Sequence, residues 1–198
     1  LRALLRASAF GDLRIMFPMI STMEELVRAR GILEEAQWEC RMRGFEVPAQ
    51  VKAGIMIEVP SAALCSDVLS RSADFFSIGT NDLIQYTMAV DRGNEKVAYL
   101  HDPFNPAVLR LIRTTIEAAR KARIEVSLCG EMGADPLAAL LLVGMGLREL
   151  SMSAVSIPFV KSFLLSQKLE DAENLAEAVM QMTSSTQVAT YIANRFKA

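Results

Sequence analysis

Ala73–Asn94, ADFFSIGTNDLIQYTMAVDRGN, is the stretch whose reading decides the fold. It opens on Phe75-Phe76-Ser77-Ile78, an apolar run of strand length that suits a strand buried in a parallel sheet. Gly79 breaks the run and Thr80-Asn81-Asp82 follows at once. Leu83, Ile84, Tyr86, Thr87 and Val90 then recur at helical spacing. An amide and a carboxylate therefore stand where the carboxyl end of a strand turns into a helix. In α/β proteins ligands bind at that junction, because loop amides and the helix N-terminus point into it. A plainer reading, in which Asn81 or Asp82 only caps the helix, stays open from position alone. Asp91-Arg92-Gly93 closes the stretch with a guanidinium able to return to the same place.

The same grammar repeats on both sides. Upstream, Leu13–Ile20 reads as a strand. Ser21-Thr22-Met23-Glu24-Glu25 then carries two overlapping capping boxes before a helix with Leu26, Ala29, Leu33, Ala36 and Cys40 on one face, ended by Gly44. Trp38 lies off that face. Val51–Val59 is a second strand, apolar enough to be covered on both faces, with Glu58 near its carboxyl end. Pro60-Ser61 starts a helix running through Leu64, Val68 and Leu69. Downstream, Asp91–Asn105 is a long polar connection, of a size that is usually functional or disordered. Asn105-Pro106 starts a helix buried through Val108, Leu111, Ile112, Thr115 and Ala119. Glu125–Cys129 is a fourth strand, Asp135-Pro136 starts a helix that Gly146 ends, and Arg148–Ser153 is a fifth strand. Pro158–Lys168, Asp171–Met182 and the tail from Thr186 read as helices.

Strict strand–helix alternation predicts an α/β fold with a parallel sheet and right-handed crossovers, either an open doubly wound sheet or a (β/α)8 barrel. No GxGxxG or P-loop follows a strand, which weakens the nucleotide-binding versions. Polar residues gather at the strand carboxyl ends, at Glu58, Asn81, Asp82, Cys129, Glu131, Ser151 and Ser153. A barrel would collect them around one mouth.

The chain's 198 residues are enough for one domain, expected to span 1–198. With 52% apolar and 22% charged residues it reads as globular. A net charge of −2 without a basic tract argues against nucleic acid as a partner. No apolar run approaches ~18 residues, so no membrane span is expected. LRALLRASAF lacks the features of a signal peptide, and the absence of an initiator Met suggests a fragment of a longer chain. Cys40, Cys65 and Cys129 form no CxxC pair, which fits a reducing cytoplasm.

Several side chains suit chemistry. Glu58 and Asp82 come from different strand ends, and two carboxylates with substrate oxygens and water make the usual Mg²⁺ site; a salt bridge is the alternative for Glu58. Arg92 suits a carboxylate or phosphate, or is simply solvated. Cys129 could serve as an acid or nucleophile, or be a small buried apolar group, the reading favoured for Cys40 and Cys65. His101, the sole histidine, sits beside Asp102 in a polar loop and is expected on the surface.

Together these blocks resemble a known family. GIMIEVPSAA, DFFSIGTNDLIQYTMAVDRGN, SLCGEMGADPLAALLLVGMG and RELSMSAVSIP, with RASAFGDLRIMFPMI before them, are similar to the C-terminal domain of the Enzyme I family of bacterial sugar phosphotransferase systems. Pyruvate phosphate dikinase and phosphoenolpyruvate synthase share the strand-end motifs, but VDRGN and LLLVGMGLRELSMSA look like Enzyme I. The resemblance implies a (β/α)8 TIM barrel that binds phosphoenolpyruvate (PEP) and Mg²⁺ and mediates homodimer formation. By position, the family's metal carboxylates fall on Glu58 and Asp82, its substrate ligands on Asn81, Asp82 and Arg92, and its proton-donating cysteine on Cys129.

It further implies a phosphorylated histidine in an N-terminal domain of the same protein, which His101 does not match, and a histidine-containing carrier protein as the next acceptor. Phosphate-binding arginines on earlier strands would precede Leu1. The chain is thus expected to hold the last five strand–helix units of the barrel, inactive by itself. The rivals are a dikinase or synthase domain and a non-catalytic dimerisation module.

Overall fold

The computed structural model describes residues 1–91 and 93–196. In chain order the elements are α1 (Arg2–Ala7), β1 (Arg14–Phe17), α2 (Met23–Met42), β2 (Lys52–Ile57), α3 (Pro60–Leu64), α4 (Ser66–Leu69), β3 (Phe75–Gly79) and α5 (Thr80–Met88). They continue with α6 (Pro106–Ala122), β4 (Glu125–Cys129), α7 (Pro136–Gly144), β5 (Glu149–Leu150), α8 (Ile157–Leu165), α9 (Leu169–Val179) and α10 (Ser185–Arg195). Short 3₁₀ turns lie at Ser8–Phe10, Ala98–Leu100 and Glu131–Ala134.

The strands form one sheet in the order β1-β2-β3-β4-β5, every neighbour parallel. A doubly wound sheet reverses its strand order part-way, whereas a barrel adds each strand beside the last. The unbroken order therefore selects the barrel type, as an arc of five strands. Arg14 on β1 forms an ion pair with Glu125 on β4, across two intervening strands. Three strand steps span about 14 Å in a flat sheet, so it is the concave curl of the arc that brings these side chains together.

Side-chain alternation divides the sheet into two unlike faces. Ile15, Ala53, Ile55, Ile57, Phe76, Ile78 and Leu128 are buried. All but Ile15 and Ala53 join one core with Leu83, Ile84, Val108, Leu109, Ile112, Leu140, Leu141 and Leu175 from the helices. Ile15 and Ala53 pack with Leu5, Leu33, Ala36 and Cys40 in a smaller cluster beside α2. On the concave face, Arg14, Met16, Phe75, Ser77, Glu125, Ser127, Cys129, Glu149 and Ser151 help line a cavity of about 330 Å³. The expectation that β2 is covered on both faces is therefore corrected. Helices cover one face; on the other, Gly54 lies against the Phe75 ring while Met56 is only half-buried.

Local signals explain the helix starts. Thr22 Oγ1 accepts from Glu25 N–H at 3.3 Å, and the Glu25 carboxylate reaches back to Ser21 N–H at 2.8 Å and Ser21 Oγ at 2.7 Å. These bonds, the Ser21 hydroxyl's first, hold the Glu25 carboxyl below its usual range. Asn105 caps α6 through Ala107 N–H, and Asp135 caps α7 through Leu137 and Ala138 N–H. Several elements are shorter than the sequence predicts, β1 (Arg14–Phe17) and β2 (Lys52–Ile57) among them. The helix from Pro60 breaks at Cys65 into α3 and α4, and β5 spans Glu149–Leu150, although Ser151 N–H still pairs with Leu128 O at 2.8 Å. Among the described residues no helix is long and apolar enough to cross a membrane.

Candidate active site

The carboxyl ends of β2, β3 and β4 converge on one place. Gly79, the last residue of β3, is itself the N-cap of α5 and supplies no side-chain cap. Thr80, Asn81 and Asp82 thus form the first helical turn, and the reading of Asn81 or Asp82 as a cap is not what the backbone shows. Thr80 Oγ1 and Asn81 Oδ1 instead find partners at the β4 exit.

Glu58, just beyond β2, is 3% exposed. Its Oε1 accepts the Met19 N–H at 2.7 Å. Met19 holds φ +57, a left-handed conformation uncommon for a residue with a side chain, and this bend after β1 turns the amide toward the carboxylate. Opposite, a Cβ on Gly79 would stand 3.0 Å from Glu58 Oε2, so glycine leaves room for that oxygen. The Glu58 carboxyl is raised above its ordinary range by burial first, against the opposing Met19 bond, and further by the charge of Asp82 and a hydrogen bond with it. The two carboxyl groups therefore meet. Among the described residues no group of three or more His, Cys, Asp or Glu forms a cage. A pair of hard oxygen ligands suits Mg²⁺, which keeps several waters and binds through one or two carboxylates plus substrate. Two carboxylates in repulsive contact are also the arrangement a divalent cation relieves.

Cys129, at the end of β4, pairs in register with Gly79 and is half-buried beside the concave cavity. Ser77 Oγ donates to Cys129 Sγ at 3.7 Å, and Thr80 Oγ1 donates to Cys129 O at 3.1 Å. Gly130 follows at φ +112, which leads the chain past the Thr80 hydroxyl. Asn81 Oδ1 accepts the Glu131 N–H at 3.4 Å, tying β4's exit to α5. Arg92 lies outside the described residues.

Other expectations resolve differently. His101 is half-buried, not a surface residue: its Nε2 lies 3.1 Å from Asn81 O. Cys40 is buried as expected, but Cys65, at the break between α3 and α4, is exposed. Glu131 is exposed, and Ser153 turns to Ser156 Oγ at 2.9 Å. The Met19 amide and the His101 contact went unseen in the sequence. Neither a left-handed methionine nor a loop folded back over 20 positions leaves a local signature.

A family model described as "PEP-utilising enzyme, PEP-binding domain" matches residues 1–169. The chain belongs to this PEP-binding-domain family. Proteins named phosphoenolpyruvate-protein phosphotransferase resemble it along nearly its whole length. That of Bacillus subtilis is 47% identical over 197 residues, 100% of this chain and 35% of the relative. That of Listeria monocytogenes is 49% identical over 190 residues, 95% of this chain and 33% of the relative. The Mycoplasma genitalium protein is 46% identical over 197 residues, covering 100% and 34%. The PEP-binding-domain chain thus spans about a third of the length of these relatives. Among solved structures, a citrate lyase from Burkholderia xenovorans LB400 superposes with a TM-score of 0.59 at 14% identity, over 98% of this chain and 66% of that one. At that identity the likeness speaks for the fold alone.

Proposed function

We propose that residues 1–198 are a single domain, the C-terminal part of the PEP-binding (β/α)8 barrel of a PEP–protein phosphotransferase. The observation that carries this reading is the convergence of Glu58, Asp82, Asn81 and Cys129 at three adjacent strand ends, in a chain of the PEP-binding family. Glu58 and Asp82 would hold Mg²⁺, which when bound offsets charge on the substrate's oxygens. Asn81 and Asp82, with Arg92, would orient PEP.

The reaction breaks the bond between phosphorus and the enol oxygen. The phosphoryl group passes to a histidine of an N-terminal domain and then to a histidine-containing carrier protein serving sugar uptake. The departing enolpyruvate takes a proton at its methylene carbon: the Cys129 S–H bond breaks, a C–H bond forms, and pyruvate leaves. Ser77 Oγ–H, already directed at the sulfur, stays bonded to the thiolate that remains. The protein is read as a cytoplasmic homodimer. The 198 residues alone lack the acceptor histidine and would not turn over, since positioning and charge carry most phosphoryl-transfer catalysis.

The test compares the full-length protein, its Cys129→Ala variant and the isolated 198-residue chain, each with PEP and Mg²⁺, measuring pyruvate and protein-bound phosphate. Cys129→Ala should bind PEP but lose pyruvate formation by about two orders of magnitude or more. The isolated chain should form neither product. Unchanged turnover in Cys129→Ala, or phosphate on the isolated chain, overturns the assignment.

A further inference from the structure

The connection after α5 is built from short self-bonded turns. Gly93 N–H donates to Asp91 Oδ1 at 2.8 Å, Lys96 N–H to Asn94 Oδ1 at 3.1 Å, and Phe104 N–H to Asp102 Oδ1 at 2.8 Å. Each bond shapes a turn, and none of them fastens the connection to the helix it follows. His101 makes one such attachment. Its half-buried ring lays Nε2 3.1 Å from the main-chain oxygen of Asn81, 20 positions earlier. A carbonyl only accepts, so Nε2 carries the proton and donates. Asn81 is then held from two sides: its side-chain oxygen takes the Glu131 N–H from the β4 exit, and its main-chain oxygen takes His101.

We propose that His101 is a positioning residue, which latches the Asp91–Asn105 connection onto the first turn of α5 and so fixes the aim of the Asn81 side chain toward PEP. The inference rests on the reading of Asn81 as a substrate ligand. What the role requires is an N–H donor at that reach. Glutamine supplies one, phenylalanine keeps the ring shape without it, and asparagine carries the donor on a stem too short to reach.

The experiment measures steady-state kinetics in PEP, and melting, for full-length wild type, His101→Phe, His101→Gln, His101→Asn and Asn81→Ala. His101→Phe and His101→Asn should raise KM for PEP about three- to tenfold, the worth of one hydrogen bond, with kcat within about twofold. His101→Gln should restore KM to within about twofold. Should His101→Phe fail to fold, the comparison of His101→Asn with His101→Gln makes the same distinction. A wild-type KM in His101→Phe or His101→Asn, or equal impairment of the Asn and Gln variants, overturns the proposal. An Asn81→Ala variant that handles PEP like wild type overturns instead the reading beneath it.

Discussion

Gly130→Ala should damage the fold and the site together, and the two effects are separable. Gly130 sits at φ +112 and ψ 175, a region open essentially to glycine, where another residue costs about 1–3 kcal/mol. An alanine Cβ there would overlap Thr80 Oγ1 and stand 3.2 Å from Asn81 Oδ1. Displacing the Thr80 hydroxyl breaks its 3.1 Å bond to Cys129 O, worth about 1 kcal/mol. The sum is about 2–4 kcal/mol. Gly146 is the control. It also has positive φ, +103, but its Cβ would meet nothing nearer than Ile116 Cγ2 at 3.6 Å. Gly146→Ala therefore isolates the backbone strain. Melting followed by circular dichroism and PEP titration by calorimetry, both in the full-length protein, give the two readouts. Gly130→Ala should melt below Gly146→Ala and alone weaken PEP binding. Equal melting of the two variants with unchanged PEP affinity would refute the contact reasoning at the β4–α5 junction.

Two further outcomes follow from the packing and the charges. A Cβ on Gly144 would fall on the Ala172 carbonyl oxygen, so Gly144→Ala must part α7 from α9; a loss of about 3 kcal/mol or more is expected in chemical denaturation, and a loss under ~1 kcal/mol would contradict the close approach. Because the Glu58 carboxyl is raised in the folded state, its stabilising contribution is complete below the ordinary glutamate range and is lost as pH rises through its raised value. Without added metal, the melting temperature of Glu58→Gln relative to wild type should therefore climb as pH rises above the ordinary glutamate range, and a flat difference would show that burial and Asp82 do not act on this group.

The sequence was most legible where chemistry is local. Phe75–Ile78 followed by Thr80-Asn81-Asp82 located β3, α5 and the junction between them, and Asn105-Pro106 and Asp135-Pro136 marked two helix starts through their caps. Glu58 and Cys129 stood out as polar endings to apolar runs. Long-range geometry was less visible. Nearly continuous apolar character in Val51–Val59 suggested two covered faces, but periodicity cannot say how many helices lie on each side, and here strand residues line the cavity on the concave face. The contact of His101 with Asn81 depends on the path of a polar connection whose turns carry no hydrophobic period. The Met19 amide reaches Glu58 through a left-handed bend that methionine does not advertise.

The central claim is that Glu58 and Asp82 together hold a divalent cation on which PEP binding depends. Mn²⁺, a paramagnetic stand-in for Mg²⁺, can be titrated into the full-length protein by electron paramagnetic resonance, with and without PEP. Wild type should bind Mn²⁺ more tightly when PEP is present, and Glu58→Gln and Asp82→Asn should each weaken that binding at least about tenfold, since even groups that only support metal ligands are worth that much. Wild-type Mn²⁺ affinity in both variants, with the PEP dependence intact, would contradict the account.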